Sequence, residues 1–176
     1  MISSARILAG SLNGVLWLRV EGNGSYEVSP QLSRFAADRI GAGVRHIVVD
    51  LESCPTMDST FMGTLTGVAV RLMQHPGGVL QVVNPNERAQ YLLSNLGLDH
   101  IFEVDREGKT WREERAMISR LLNNDVCRQV PAAAKREQMQ CMLAAHENLA
   151  CASEGNLPKF HDVIECLKRE MHDQRV

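Results

Sequence analysis

The stretch of sequence that decides the fold is residues 46–83, HIVVDLESCPTMDSTFMGTLTGVAVRLMQHPGGVLQVV. It begins and ends with short aliphatic runs, at 46–51 and 79–83, which are typical of strands buried on both faces of a sheet. Between the two runs, apolar residues recur at helical spacing from Asp58 until the Pro-Gly-Gly at 76–78, where a helix cannot continue. We therefore predict a βαβ unit with two parallel strands.

The sequence upstream of this unit predicts two strands and a helix. The segments 6–9 and 15–20 flank Asn13-Gly14, a pair that accepts the positive φ angles of a tight turn and so indicates a β-hairpin. Ser29 followed by a proline predicts the start of an amphipathic helix with Ser29 as its N-cap, and Gly41 predicts its end.

The sequence downstream of the unit continues the alternation of helices and strands. Residues 84–86, Asn-Pro-Asn, predict the start of a helix that Gly97 ends. A short strand is predicted at 100–104, and an apolar stripe from Trp111 to Leu122 predicts one more helix. The resulting order ββαβαβαβα predicts an α/β fold with a mixed sheet, which we assign to residues 1–125.

Pro131 marks a predicted boundary, because the sequence beyond it contains no strand pattern and is rich in Ala, Glu, Lys, Gln and Met. Two apolar stripes, at 139–149 and 160–171, predict two helices that a Gly-Asn-Leu-Pro turn at 155–158 separates. We therefore predict a C-terminal αα-hairpin extension over residues 131–176.

The two predicted C-terminal helices must pack against something, because amphipathic helices this short are marginal in water. Their apolar stripes would be covered either by the sheet domain or by a second subunit, in which case the protein would be a homodimer. In both cases we expect Phe160, Ile164 and Leu167 to be buried.

Composition argues against nucleic acid and membrane partners. The 176 residues include 19 Lys and Arg against 21 Asp and Glu, with a net charge of −2, and they contain no basic block of the kind that binds a phosphate backbone. No apolar run approaches the roughly 20 residues of a membrane span, and no signal peptide is recognisable. We expect a cytoplasmic protein without direct membrane insertion.

The cysteines indicate a reducing compartment and no metal site. Five are present, an odd number in a chain that is long enough to fold without disulfides. Cys141 and His146, like His161 and Cys166, are five residues apart, which separates them by about 140° around a helix. Zinc ligands usually come in tighter pairs, so we predict no metal and no cofactor.

The segment most suited to function is residues 54–65, which connects the carboxyl end of a buried strand to the start of a helix. In open α/β sheets, ligands bind at this edge. Asp58, Ser59 and Thr60 lie where the first N–H groups of the helix have no partners within it. The residues alone leave two interpretations open: a simple helix N-cap, or a functional site.

Several motifs together resemble the STAS domain and are similar to bacterial anti-sigma factor antagonists. They are Val48-Val49-Asp50-Leu51, Met57-Asp58-Ser59-Thr60-Phe61-Met62-Gly63, Val82-Val83, and Leu92-Leu93-Ser94-Asn95-Leu96-Gly97-Leu98 followed by Phe102-Glu103-Val104. The resemblance extends from Ser4 to about Asn123 and agrees with the predicted order of elements.

The resemblance implies a non-enzymatic binding module that is controlled by phosphorylation. Ser59 matches the serine that a partner kinase of the histidine-kinase-like ATPase class phosphorylates in this family, and a serine phosphatase reverses the step. That kinase also acts as the anti-sigma factor. Asp58, Thr60, Phe61, Met62 and Gly63 correspond to the surrounding motif and partner-binding positions.

Phe61 departs from the family pattern, which has glycine at this position. Helical geometry places Phe61 about 100° from Met62, so we expect a partly exposed aromatic ring that is available to a partner. We also expect Ser59 Oγ to be exposed at the carboxyl edge of the sheet.

Two other functions are compatible with parts of the sequence. A STAS accessory subunit of a membrane transport system would share the fold without needing phosphorylation of Ser59. A small hydrolase or phosphatase could use Asp58, Ser59 or Cys54, but the sequence reveals neither a catalytic base nor a phosphate-binding loop for it.

Overall fold

The computed structural model describes residues 5–173 and places a mixed sheet at the centre of the fold. The strands are β1 (Arg6–Leu12), β2 (Val15–Glu21), β3 (His46–Asp50), β4 (Val79–Val83), β5 (Glu103–Asp105) and β6 (Asn124–Asp125). Their spatial order is β5-β4-β3-β2-β1-β6. Strands β2 to β5 are parallel to one another, whereas β1 is antiparallel to both of its neighbours.

Up to residue 118, helices and strands alternate in the predicted order. The helices are α1 (Ser29–Gly41), α2 (Ser59–Met73), α3 (Glu87–Asn95), α4 (Arg112–Ile118), α5 (Val126–Gln129), α6 (Lys135–Ala152) and α7 (Leu157–Asp173). Within the described residues, no helix is both long and apolar enough to cross a membrane.

The core is divided between the two faces of the sheet because side chains alternate along each strand. Ile47 and Val49 point into the larger cluster, which α1, α2 and α3 cover. Val48 points the other way, into a smaller cluster that contains Trp17 and Ile118 of α4. Both faces are therefore covered, which explains the unbroken aliphatic run of β3.

Local signals at turns and helix ends are confirmed in the structure. Asn13 and Gly14 have φ angles of 52° and 79°, as the turn between β1 and β2 requires. Asn86 is the N-cap of α3, and Gly97 ends that region with a φ of 68°. Each turn or helix end therefore depends on the backbone or side-chain properties of the residue at that position.

Three local predictions are wrong in detail. The N-cap of α1 is Val28, because the Ser29 hydroxyl is buried and donates a hydrogen bond to the carbonyl oxygen of Ser25. Residues 98–100 form a turn of 3-10 helix, so β5 begins only at Glu103. The helix predicted up to Leu122 ends at Ile118, and the chain then adds the short strand β6 beside β1.

The predicted C-terminal hairpin is present as α6 and α7, and it packs on the same chain. Its main neighbour in the sheet domain is α2. Ile164 and Leu167 are buried as predicted, whereas Phe160 is only partly buried. The last three residues of the predicted extension, 174–176, lie outside the described residues.

Candidate functional site

Asp58 fixes the start of α2 and connects it to the loop between β2 and α1. Its Oδ1 accepts a hydrogen bond from the backbone N–H of Phe61 at 2.8 Å, which satisfies one of the free donors at the helix start. Its Oδ2 accepts one from the backbone N–H of Tyr26, also at 2.8 Å. Asp58 is therefore an N-cap, as one of the two interpretations of the sequence predicted, and it also joins two loops.

The loop that precedes α2 is held by backbone pairing with the same neighbouring segment. Gly24 and Met57 form a parallel bridge, and the Asp58 N–H donates to the Gly24 carbonyl at 2.9 Å.

Cys54 is buried in this loop, and burial raises the pKa of its thiol. A thiol in that state is a weak nucleophile, so Cys54 has the properties of a packing residue.

Ser59 is the first residue of α2 and is partly exposed. Its hydroxyl Oγ lies 2.9 Å from Nε2 of His146, a residue of α6 that is 6% exposed. The other ring nitrogen, Nδ1, lies 2.7 Å from the carbonyl oxygen of Met142. A carbonyl oxygen can only accept, so a neutral His146 donates from Nδ1 and accepts the Ser59 proton at Nε2.

The remaining motif residues are buried. Thr60, Phe61 and Met62 are at most 5% exposed, and Gly63 is buried as well. Met62 is a core residue, as its helical spacing indicated. Of residues 58–63, only Asp58 and Ser59 are partly exposed to solvent.

The prediction that Phe61 is partly exposed is wrong, because its side chain is fully buried. The ring packs against the backbone of Gly24, where a Cβ would lie 2.6 Å from Phe61 Cδ1. A glycine in a loop that is distant in sequence thus creates the space that the ring fills.

His146 is the site residue that sequence reasoning missed. It lies on the apolar stripe of α6 that the sequence revealed, and a buried histidine on such a stripe needs a polar partner. The spacing within α6 carries no information about which residue outside that helix supplies the partner.

A groove of about 510 Å³ lies next to the site, between α1, α2 and α6. It is lined by Thr64 and Gly67 of α2 and by Cys141 and Asn148 of α6, but not by Ser59 or His146. Among residues 5–173, no group of three or more potential ligand residues is placed to hold a metal ion.

Solved structures of other proteins have the same fold as this chain. A Thermotoga maritima protein assigned as an anti-sigma factor antagonist aligns over 62% of this chain and 94% of its own, with 22% identity and a TM-score of 0.55. An anti-sigma factor antagonist from Mycobacterium paratuberculosis aligns over 66% and 95%, with 18% identity and a TM-score of 0.54. SpoIIAA, the Bacillus cell fate determinant, in its phosphorylated form aligns over 64% and 97%, with 18% identity and a TM-score of 0.50. The chain thus has the α/β fold of anti-sigma factor antagonists.

The family follows from the sequence itself. The STAS domain family matches residues 7–114, more than half of the chain, so this protein belongs to the STAS domain family. No curated protein is similar enough to count as a relative. The match ends before α6, so the hairpin that supplies His146 lies outside the matched residues.

Proposed function

We propose that this protein is a phosphorylation-controlled binding module of the anti-sigma factor antagonist type, acting in a bacterial partner-switching pathway. The observation that carries the proposal is the position of Ser59, a partly exposed serine at the start of α2 that directly follows an aspartate N-cap. Ser59 would accept the phosphate, the partly exposed Asp58 beside it would form part of the surface that a partner recognises, and the buried motif residues would support that surface from within the fold.

The start of α2 is a physically suitable place for a phosphate. A phosphoserine adds about −1.5 to −2 charges and three acceptor oxygens. The free N–H groups and the dipole of a helix N-terminus favour such a charge, so the domain should remain folded when it is phosphorylated. A partner pressed against the same helix end would have to bury a solvated dianion, so binding is the step that phosphorylation blocks.

The partner in this proposal is a histidine-kinase-like ATPase that acts as both serine kinase and anti-sigma factor. It would hold ATP and transfer the γ-phosphate to Ser59, so that the Oγ–H bond is replaced by an Oγ–P bond and ADP and a proton are released. A serine phosphatase would hydrolyse the phosphoserine. The protein itself would act in the cytoplasm, without enzymatic activity and without a cofactor.

Intact-mass and peptide mass spectrometry of the protein from its native cells tests the central assumption. We expect a phosphate on Ser59 in a fraction of the molecules. A pull-down from the same extract should contain a histidine-kinase-like ATPase. Recovery of a transporter subunit instead, with Ser59 always unmodified, would favour the transport accessory function.

Substitutions at Ser59 test whether the switch acts on binding. Ser59→Ala should bind the kinase domain recovered in the pull-down and escape regulation, whereas Ser59→Asp should bind more weakly because it places a charge at the interface. Ser119→Asp adds the same charge at the end of α4 and should bind like the wild type. Equal affinities of all four proteins in calorimetric titrations would contradict the mechanism.

A further inference from the structure

The Ser59 hydroxyl contacts the ring of His146, which α6 brings to it from 87 positions away. Oγ of Ser59 and Nε2 of His146 are 2.9 Å apart, which is a hydrogen-bond distance. Nδ1 of the same ring lies 2.7 Å from the carbonyl oxygen of Met142, one turn earlier on α6. Because that oxygen can only accept, the neutral ring donates from Nδ1, and the lone pair of Nε2 faces the serine proton.

Contacts between the helices hold this ring in place. The backbones of α2 and α6 touch at Gly63, where a Cβ would overlap the carbonyl oxygen of Ala145. Nδ2 of Asn148 donates a hydrogen bond to the Gly63 carbonyl at 3.2 Å. The ring itself packs against Phe160 of α7, with 5.6 Å between the ring centroids. His146 is consequently only 6% exposed, and the orientation of its ring is set before any partner binds.

The pair presents the serine oxygen, and not the imidazole, to the outside. Ser59 is partly exposed, whereas His146 is buried. A hydroxyl carries one proton and two acceptor lone pairs, so a proton that points at Nε2 leaves oxygen lone pairs for an electrophile. This is the arrangement of an activated serine, in which an adjacent base accepts the proton while the oxygen attacks.

Asp58 is next to Ser59 in the sequence but has a different role. Its two carboxylate oxygens accept hydrogen bonds from the backbone N–H groups of Phe61 and Tyr26, each at 2.8 Å, and so hold the loop before α2. Within the described residues, the side chain that is bonded to the Ser59 hydroxyl is His146. The imidazole is therefore the group that is placed to take the serine proton.

We propose that His146 is the base that accepts the Ser59 proton when the partner kinase phosphorylates this protein. The inference rests on the proposed function, in which Ser59 receives the γ-phosphate of ATP, and it assigns one catalytic group of that reaction to the substrate protein. His146 lies on α6, outside the residues that match the STAS family, so this base belongs to the extension and not to the family domain.

The step balances with the groups already named. The Oγ–H bond breaks and its proton moves to Nε2, while an electron pair of Oγ forms the bond to the γ-phosphorus. The bond from that phosphorus to the oxygen that bridges it to the β-phosphorus breaks, and ADP leaves with the electron pair. His146 then returns the proton to water. The hairpin does not have to move, because Nε2 is already within hydrogen-bond distance of Oγ.

Reaction of the full chain with diisopropyl fluorophosphate tests the activation of Ser59 without any kinase. The reagent attaches phosphorus to a serine oxygen and releases fluoride, and peptide mass spectrometry gives the rate at each serine. Ser119 at the end of α4 is the internal reference, because it is exposed and its hydroxyl donates to the Arg115 carbonyl, which cannot take a proton. We expect Ser59 to react at least about tenfold faster than Ser119.

His146→Gln separates a base from a hydrogen-bond acceptor. The amide oxygen of glutamine can accept the serine hydrogen bond but cannot take the proton. The rate at Ser59 should therefore fall to about that of Ser119. His161→Gln makes the same change at an exposed histidine of α7 and should leave the rate as it is in the wild type. The comparison of Ser59 with Ser119 in the wild type needs no variant and so does not depend on how His146→Gln folds.

The kinase recovered in the pull-down provides the second measurement. At saturating ATP and substrate protein, phosphate transfer to His146→Gln should be about 100-fold slower than to the wild type, with an unchanged KM, because the lost group acts on the reacting oxygen.

Three results would overturn the inference: Ser59 reacting no faster than Ser119, equal labelling of Ser59 in wild type and His146→Gln, or equal rates of phosphate transfer to the two proteins. If phosphate is found on Ser59 and His146→Gln is phosphorylated as fast as the wild type, the proposed function stands and the inference falls. If His146 activates Ser59 toward the reagent but the native protein never carries phosphate there, the proposed function fails and the activated serine stands.

Discussion

Ser59 owes its environment to two residues that are far apart in the sequence. Asp58 accepts a hydrogen bond from the Phe61 N–H and fixes the turn from which Ser59 emerges, while Nε2 of His146, 87 positions away, is hydrogen-bonded to the serine hydroxyl. Asp58 places the Ser59 hydroxyl at the N-terminus of the helix. His146 determines how accessible that hydroxyl is to a partner. A change at either position should therefore affect Ser59 in a different way.

His146→Ala should lower the free energy of unfolding by about 1 to 3 kcal/mol. The change removes a buried hydrogen bond and the ring that lies against Phe160, with 5.6 Å between ring centroids. Urea denaturation measures the loss. His161→Ala, at an exposed position on α7, should change stability by less than about 0.5 kcal/mol. Similar losses for the two variants would mean that the Ser59 contact contributes nothing.

Asp105 should give the protein an acid-sensitive contribution to its stability. Burial alone would raise the pKa of this carboxyl, but hydrogen bonds from Thr110 and Lys109 and the charge of Arg115 outweigh it and lower the pKa to about 2. Because the folded-state pKa lies below the value of 3.8 for the free group, the stabilisation is present above pH 4 and is lost as the pH falls toward 2.

Asp105→Asn should accordingly flatten the decrease in stability between pH 4 and pH 2, measured as the urea midpoint against pH. Asp162→Asn, at an exposed position on α7, should leave that decrease as it is in the wild type. If the urea midpoint of Asp105→Asn falls between pH 4 and pH 2 as much as that of the wild type, the ion pair with Arg115 and the loop hydrogen bonds do not stabilise the fold.

Among the elements, the pairing of α2 with α6 depends on the absence of a side chain at Gly63. Gly63→Ala should lower the free energy of unfolding by roughly 1 to 3 kcal/mol, since the new methyl group overlaps the Ala145 backbone and must push α6 away. Gly41→Ala, at the end of α1, is the matched control because its Cβ would meet nothing within 4 Å.

The two glycine variants can be compared in one urea titration series. Gly41→Ala should be neutral or slightly stabilising, because alanine restricts the unfolded chain and α1 accepts it without strain. If Gly63→Ala is equally neutral, α6 does not lie against α2 in solution. Faster hydrogen exchange confined to α6 in Gly63→Ala would show that the new methyl group loosens the contact between α2 and α6.

The sequence predicts those elements whose cause is local, and it fails where a distant segment decides. The Asn13-Gly14 turn, the Asp58 and Asn86 caps and the aliphatic run of β3 each follow from the residues at that place. The burial of Phe61 depends on Gly24, which lies in another loop. Helical periodicity describes only residues of the same helix and cannot predict that contact. The Ser59–His146 hydrogen bond cannot be predicted for the same reason, since the pattern within each helix does not show which residue of another helix it meets.

The whole molecule is a STAS domain with a helical hairpin packed on α2, the helix that begins at the candidate phosphorylation site Ser59. The hairpin adds little to the hydrophobic core of the sheet domain. Leu149 is the hairpin residue that the described core cluster includes as buried, and Ala152 and Phe160 pack against it from the edge. The sheet and its two clusters are otherwise built from residues that precede Pro131, including Val126 of α5.

Deletion of residues 131–176 should therefore leave a folded domain. Circular dichroism should retain the signature of a mixed α/β protein, with a lower thermal midpoint because Leu149 and the helices that cover α2 are lost. The newly exposed face of α2 contains Thr60, Gly63, Thr64 and Gly67, so self-association should be limited, and size-exclusion chromatography measures it. Ser59 should remain available for phosphorylation.

The truncation also tests where the domain boundary lies. The last element kept, α5, contributes Val126 to the core and contacts β1, so a boundary after α5 keeps every strand and both clusters. A truncated chain that unfolds would place the boundary elsewhere and make the hairpin part of a single integrated core. A folded truncated chain whose Ser59 is phosphorylated more slowly than in the full protein would instead separate two roles, with the sheet domain carrying the site and the hairpin supplying its base.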